Sequence, residues 1–148
     1  MRPLIVSIAL LSACAGSPLA PVDIDPLNDA CRQCRMLVSN PRTAAEIVAP
    51  GEEPLIFDDL DCFRNFIAAT PLSDVARVYV VDHRTGEWIP AHIAVYTKST
   101  HRGTAMGSGL IAHWDVASRD ADPAAAGGSA VPLAAILGNA ARTTEIRE

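Results

Sequence analysis

A short run of sulfur-containing side chains lies between Cys31 and Met36, where the sequence reads Cys-Arg-Gln-Cys-Arg-Met. Two cysteines separated by two residues, Cys31 and Cys34, can converge on one metal ion or form a reversible disulfide. The thioether of Met36 is neutral and soft, so it suits Cu(I) and does little for Zn²⁺. The motif therefore allows three interpretations: a copper site, a zinc site and a redox disulfide.

A second thioether favours copper among these interpretations. Met106 lies in a loop between Gly103 and Gly109 that would not bury a methionine well. Glycines allow close backbone approach to a ligand and leave an ion open on one side. A closed zinc site would need about four Cys or His ligands, and the sequence has no second CxxC and no HxxxH. We expect Met36 and Met106 to act together in a copper site.

The remaining candidate ligands have alternative explanations. Cys62 is either a small buried hydrophobic residue, a further soft ligand or a disulfide partner. Three neighbouring aspartates are typical of a helix cap, although they could also coordinate a hard ion; they are Asp58, Asp59 and Asp61. The histidines are scattered and are expected at the surface or in packing; they are His83, His92, His101 and His113. His101 is the best candidate ligand among them because it is close to Met106.

A thiol–disulfide oxidoreductase using Cys31 and Cys34 is the alternative function. Such an enzyme places its CxxC after a strand, at a helix N-terminus that lowers the thiol pKa. Here the motif follows a proline-rich segment and precedes strand-like residues. No GxSxG, P-loop or HExxH motif is present, so we predict that the protein is not an enzyme. A lipoprotein scaffold without metal is a third alternative.

The N-terminus is typical of a bacterial lipoprotein. Residues 1–13 have a positive residue and then an apolar run of about nine residues, too short to span a bilayer, and therefore predict a signal peptide. Leu11-Ser12-Ala13-Cys14 resembles a lipobox, in which the peptide is cut before Cys14 and that cysteine is acylated. Ala15 is not the aspartate associated with inner-membrane retention, which slightly favours the outer membrane. We expect a lipid-anchored protein on the periplasmic face of a membrane.

Lipidation of Cys14 leaves three cysteines outside the cytoplasm, where oxidation is expected: Cys31, Cys34 and Cys62. Either one pair bridges and one thiol stays free, or a soft metal protects them. The formal net charge of −5 argues against nucleic acid as a partner, because phosphate binding needs clustered Lys and Arg.

The pattern of apolar runs predicts an α+β fold. Residues 14–29 contain three prolines and no apolar periodicity, so they predict a flexible tether. The domain, residues 30–138, is predicted to form two similar small lobes, 30–72 and 76–138, each with short antiparallel strands plus a helix. Residues 139–148 are predicted to be a polar tail. The expected strands are 36–38, 44–49, 55–57, 78–81, 88–96, 110–114 and 130–131, and the expected helices are 59–69, 115–126 and 133–137.

An ordered set of motifs resembles the NosL family, the lipoprotein copper chaperones for nitrous oxide reductase maturation. The match starts with the lipobox and CxxCxM, and continues with Ala44-Ala45-Glu46-Ile47 and Phe57-Asp58-Asp59 with Cys62. It ends with Tyr79-Val80-Val81-Asp82, the run from Thr85 to Ala91, Ala94 with Tyr96, and Met106-Gly107-Ser108-Gly109. The resemblance implies two similar lobes, Cu(I) binding in the periplasm, and delivery of copper to nitrous oxide reductase with a membrane ABC-type maturation complex.

The resemblance also implies a ligand set. The motif cysteine nearest the methionine is Cys34, which is followed by Met36, and the glycine-flanked methionine is Met106. We therefore expect Cys34 as the principal anionic ligand and Met106 as the second, with Met36 and Cys31 assisting. Arg35 stands where the family often has Gly and places positive charge beside the ion, and Pro90 stands where Asp is common.

Overall fold

Two antiparallel sheets organise the chain in the computed structural model, which describes residues 19–101 and 103–138. The first sheet contains β1 (Ala45–Val48), β2 (Leu55–Phe57), β3 (Arg77–Val81) and β4 (Trp88–Pro90), in the order β2-β1-β3-β4. The second contains β5 (Val95–Lys98), β6 (Leu110–His113) and β7 (Ser129–Val131), in the order β6-β5-β7. The helices are α1 (Leu60–Ala69), α2 (Val116–Asp120) and α3 (Leu133–Leu137), and short 3-10 turns occupy Pro41–Thr43 and Pro123–Ala125. The predicted α+β class with two small antiparallel units is confirmed.

Helix α1 begins where the sequence predicts it. Asp59 is the N-cap, and its side chain accepts a hydrogen bond from the Asp61 backbone N–H. An aspartate here satisfies a backbone donor that the helix leaves unpaired and complements the helix dipole. The helix ends at Ala69, two residues before Pro71. Its buried side is packed into the core through Phe63, which meets Phe57 of β2 edge to face.

The two sheets share one apolar core. Sheet one contributes Val80 and Ile89, sheet two contributes Tyr96 and Leu110, and α3 adds Ile136. Each of these side chains is almost completely buried, and burial of one aliphatic or aromatic side chain stabilises a fold by roughly 1.5–3 kcal/mol. The two sheets are therefore parts of one packed unit.

The strands divide between the sheets differently from the predicted lobes. Strands β3 and β4, expected in the second lobe, belong to the first sheet, because β3 pairs with β1 through four residue pairs from Ala45–Val80 to Val48–Arg77. The single strand predicted over 88–96 is two strands in different sheets. The chain turns after β4 through residues 91–93, where the Ile93 N–H donates to the Pro90 carbonyl (3.2 Å). Pro90 fits in β4 because β4 is an edge strand of the first sheet. The helix predicted over 115–126 is also shorter: α2 ends at Asp120, and Pro123 starts a separate 3-10 turn.

Leu19 and Val22, in the described part of the predicted tether, contact the first sheet. Tyr79 donates its hydroxyl to the Leu19 carbonyl (2.9 Å), and the Trp88 ring N–H donates to the Val22 carbonyl (3.0 Å). The Val22 N–H donates to the carboxylate of Glu46, which is fully buried in β1. A proline-rich segment without periodicity can still bind a sheet when buried polar groups need partners. The structure therefore shows contacts between this segment and the sheet, and the flexibility of the tether stays a prediction.

The remaining N- and C-terminal predictions fall on other parts of the chain. The signal peptide 1–13, the acylated Cys14 and the tail 139–148 lie outside the described residues. Within 19–101 and 103–138, no helix is both long enough and apolar enough to cross a membrane.

Candidate metal site

Three thiols and one carboxylate converge beside the N-terminus of α1. Cys31, Cys34, Asp58 and Cys62 each offer one ligand atom, and these atoms all lie within 4.8 Å of one another. Cys31 and Cys62 are buried and Cys34 is partly exposed, and all three are free thiols. The group combines the predicted CxxC pair with two residues that lie 24 or more positions further along the chain.

A tight loop positions the CxxC motif. The Cys31 N–H donates to the Met36 carbonyl (2.8 Å), and the Arg35 N–H donates to the Cys31 carbonyl (2.9 Å). Arg35 has φ of 67°, a left-handed conformation that glycine adopts at least cost. The loop geometry therefore gives a physical reason for a glycine at this position, and Arg35 adopts it with an exposed side chain.

Asp58 is the buried carboxylate of the group. It is 1% exposed, and its Oδ2 accepts a hydrogen bond from the Cys34 thiol (3.4 Å). Its backbone carbonyl accepts from the Thr43 hydroxyl (2.8 Å), while Oδ1 has no partner among the described residues. A buried carboxylate oxygen without a partner is costly, so this environment suits a proton or a cation. The capping role expected of the three aspartates belongs to Asp59, and Asp58 belongs to the thiol group.

The buried thiols are held in the neutral state. Burial raises the pKa of the Cys31 thiol. Burial also raises the pKa of the Cys62 thiol strongly, and the hydrogen bond to Asp58 adds to the effect. The CxxC motif lies in a turn and not at the N-terminus of a helix. These features are opposite to those of a catalytic disulfide, which needs a lowered thiol pKa.

The Met106 loop reaches the same helix end. The Met106 N–H donates to Asp59 Oδ2 (3.0 Å), while Asp59 Oδ1 caps the first turn of α1. Gly109 closes this loop with φ of 66°, and a Cβ there would lie 3.0 Å from the Ser99 carbonyl oxygen. Two consecutive aspartates thus contact the two parts of the predicted copper site. Asp58 accepts a hydrogen bond from the Cys34 thiol, and Asp59 accepts one from the Met106 backbone.

Sequence reasoning identified two members of the group and left two unassigned. Cys31 and Cys34 were predicted as ligands and lie within it, whereas the side chains of Met36 and Met106 are 48% and 47% exposed. The sequence left Cys62 as either a buried packing residue, a ligand or a disulfide partner, and Asp58 was expected to cap a helix. The sequence did indicate that Cys62 and Asp58 lie close to each other, because a Cys in the first turn of a helix lies near the residues that precede its cap. It did not indicate that they lie beside the CxxC pair.

The fold and this site define a small α+β protein with a sulfur-rich site of the kind that soft metal ions favour. The NosL family model matches residues 21–140, most of the chain, and the protein therefore belongs to the NosL family of copper-binding chaperones. No curated protein and no solved structure gives a match.

Proposed function

We propose that the chain is a membrane-anchored metallochaperone that carries Cu(I) and passes it to a partner by ligand exchange. The observation that carries this proposal is the attachment of the Cys34 thiol and the Met106 backbone to the consecutive residues Asp58 and Asp59. Because the two loops are bound to one helix end, a thiolate and a thioether far apart in sequence become available to one ion.

Cys34 is the principal ligand and Met106 the second. Cys34 is the only partly exposed thiol of the group in the part of the chain that the structure describes, so a partner can reach it first. Cys31 and Met36 assist from the same loop. Cu(I) accepts few ligands, and soft sulfur donors select it over harder ions. The resulting site binds copper firmly on the buried side and leaves it reachable on the side of the half-exposed methionines.

Asp58 assists copper loading as a proton acceptor. Copper must displace the thiol proton of Cys34, because the thiolate is the ligand. That proton already points to Asp58 Oδ2, and Oδ1 lies buried without a partner in the described residues. The carboxylate can therefore take up the proton within the site, and the site's total charge stays unchanged by the transfer.

Copper transfer follows from the same arrangement. A partner cysteine or methionine enters from the exposed side, forms a bond to Cu(I), and displaces Met106 or Met36 before Cys34 leaves. The exposed neutral thioethers are the easier ligands to replace, since they carry no charge. Copper moves between sulfur ligands throughout, and the protein acts by binding and not by catalysis.

The proposed destination is the copper sites of nitrous oxide reductase, with its membrane ABC-type maturation complex as the assembly partner. Family membership supports this destination, and the lipobox supports an acyl anchor on Cys14 at the periplasmic face of a membrane, with the outer membrane slightly favoured. Cys14→Ser should abolish fatty-acid incorporation and move the chain from the membrane fraction to the soluble periplasmic fraction. Membrane retention of this variant would contradict the anchor.

Competition titration with a Cu(I) chelator tests the ligand set. We expect Cys34→Ser to weaken Cu(I) binding by more than about 100-fold, beyond the effect of losing a residue that only orients a ligand. Met106→Leu should weaken it by at least about 10-fold. The control is Leu27→Ala, which removes an 82% exposed side chain in a segment outside the thiol group. Unchanged affinity in both the Cys34 and Met106 variants would remove this site.

A transfer assay tests the destination. Copper-loaded protein should restore the copper content of copper-free nitrous oxide reductase in cells or membranes that contain the maturation complex. The Cys34→Ser variant should fail in the same assay. If the Cu(I)–chelator complex restored the copper content of the reductase as well as the loaded protein does, delivery by the protein would be refuted.

A further inference from the structure

A second group of potential ligands lies in other elements of the fold. His83 follows β3, His113 ends β6, and Asp122 follows α2. His83 Nδ1 lies 2.6 Å and His113 Nε2 lies 3.0 Å from the same oxygen, Asp122 Oδ2. The side chains of His113 and Asp122 are 0% and 7% exposed, and that of His83 is 20% exposed. None of these residues belongs to the thiol group.

A buried aspartate holds the two histidines in place. Asp82 Oδ1 accepts from the Thr85 N–H (2.9 Å), and Oδ2 accepts from the Trp114 N–H and the Ser118 hydroxyl (both 2.8 Å). Burial opposes ionisation of Asp82, but these hydrogen bonds outweigh it and lower its pKa to about 2. Asp82 therefore links Thr85, two residues after His83, to Trp114, the residue after His113.

Further hydrogen bonds position the backbone of His83 and the carboxylate of Asp122. The His83 N–H donates to the Ala112 carbonyl (2.9 Å), beside His113. Asp122 Oδ1 caps the turn that starts at Pro123 by accepting from the Ala124 N–H (2.9 Å). Only Oδ2 of Asp122 therefore faces the two rings. Partners that orient a ligand and leave one atom for the ion are typical of built metal sites.

Hydrogen bonding alone leaves part of this group unexplained. If His113 donates from Nε2 to Asp122, its Nδ1 is an acceptor, and this buried atom has no partner in the described part of the chain. Unpaired buried polar atoms in native proteins call for a specific reason. If a metal ion binds at Nε2, the proton that Nε2 carried can move to the unprotonated Nδ1.

We propose that His83, His113 and Asp122 form a second metal site, for a divalent transition-metal ion such as Zn²⁺, separate from the sulfur site. Two imidazole nitrogens and one carboxylate oxygen are ligands that such ions use, with one position left open. Each neutral imidazole keeps its proton by moving it to the other ring nitrogen, to Nδ1 in His113 and to Nε2 in His83. No net proton is released in this step.

The rearrangement needed for an ion is small. Bonds of about 2.0–2.1 Å in tetrahedral geometry place two ligand atoms about 3.4 Å apart. The present separations of 2.6 and 3.0 Å must therefore widen by less than about 1 Å. Asp122 also lines a cleft of about 340 Å³, which neither histidine lines. Arg119 also lines this cleft, but its guanidinium pairs with Asp120 at 2.7 Å.

Zinc binding to a variant without the thiols tests the site. In a chain with Cys31, Cys34 and Cys62 all replaced by Ser, we expect one equivalent of Zn²⁺ by equilibrium dialysis and metal analysis. His83→Phe and Asp122→Asn, added to this background, should each weaken binding by at least about 10-fold. His92→Asn is the matched control. Absence of saturable binding in a folded triple variant, or equal loss in the control, would overturn the proposal.

Imidazole NMR of the wild-type chain provides a measurement that does not depend on the thiol variants. Long-range ¹⁵N–¹H spectra report which ring nitrogen carries the proton. On addition of Zn²⁺, His83 and His113 should change tautomer together, while His92 and His101 keep their spectra. Unchanged tautomers of His83 and His113 at saturating Zn²⁺ would overturn the proposal, and would identify the group as a hydrogen-bonded link between β3, β6 and α2.

Discussion

At the scale of single residues, the site depends on a carboxylate that copper itself does not favour. Asp58 is buried among three thiols, and only one of its two carboxylate oxygens has a partner in the described residues. Carboxylates are hard ligands and Cu(I) is a soft ion. The proposed role of Asp58 is therefore to orient Cys34 and accept its proton, which makes it a positioning residue.

Replacement of Asp58 by Asn tests this role. Asn keeps the size of the side chain and loses the charge, so we expect Cu(I) affinity to fall by about 10–100-fold. The pH dependence of copper binding should also become steeper, because the displaced proton must leave the site. Asp61→Asn is the control, since Asp61 is on the same helix and its side chain is 42% exposed. Equal affinity and equal pH dependence in the Asp58 variant would exclude the role.

The buried carboxyl group of Glu46 should make the stability of the fold depend on pH. Burial raises its pKa from 4.5 to about 7, and the hydrogen bond from Val22 only partly offsets this. Because the folded state holds the proton more tightly than the unfolded state, the free energy of unfolding falls as pH rises from about 4.5 through 7. Glu46→Gln should therefore gain up to about 3 kcal/mol relative to wild type between pH 5 and pH 8 in urea denaturation. Parallel pH profiles, like those expected for the exposed control Glu52→Gln, would contradict the assignment.

At the scale of elements, the Met106 loop requires a glycine. Gly109→Ala would force a side chain into φ of 66° and bring its Cβ within 3.0 Å of the Ser99 carbonyl oxygen. Gly107 has nearly the same φ, but its Cβ would meet nothing within 4 Å. We expect Gly107→Ala to destabilise the fold by about 1–2 kcal/mol, the cost of the left-handed conformation alone. Gly109→Ala should cost more, and also weaken Cu(I) binding. Thermal unfolding that ranks the two variants equally would contradict the close contact.

The sequence predicts elements well where the signal is local. The start of α1 follows from Asp59, a cap side chain, and from the apolar spacing after it. The partnership of β3 with β1 and the docking of Val22 on Glu46 could not be predicted, because they depend on contacts between distant residues. For the same reason, the motif identified Cys31 and Cys34, whereas Asp58 and Cys62 join them only through the turn between β2 and α1.

At the scale of the whole molecule, the docked N-terminal segment limits the reach of the domain. The predicted tether of residues 14–29 would span up to roughly 50 Å. In the structure, contacts with the first sheet already begin at Leu19. The link from an acylated Cys14 to Leu19 can therefore span at most about 18 Å. If Cys14 carries the anchor, the copper partner must come close to the membrane surface.

Disruption of the segment's contacts tests this limit. Trp88→Phe removes the hydrogen bond to the Val22 carbonyl and keeps an aromatic ring on β4. We expect faster amide hydrogen exchange in residues 19–24, with core strands such as β5 unchanged. Equal exchange in the variant and the wild type would mean that this hydrogen bond does not hold the segment.

The central claim is that Cys34 and Met106 share one Cu(I) ion. Selenium X-ray absorption on the selenomethionine-labelled, Cu(I)-loaded chain tests it directly, because a bonded copper atom appears as a heavy neighbour of selenium. We predict a copper neighbour in the wild type that is strongly reduced in Met106→Leu and absent in Cys34→Ser. Loaded protein whose selenium atoms have no copper neighbour would contradict the claim and assign the copper to the thiols alone.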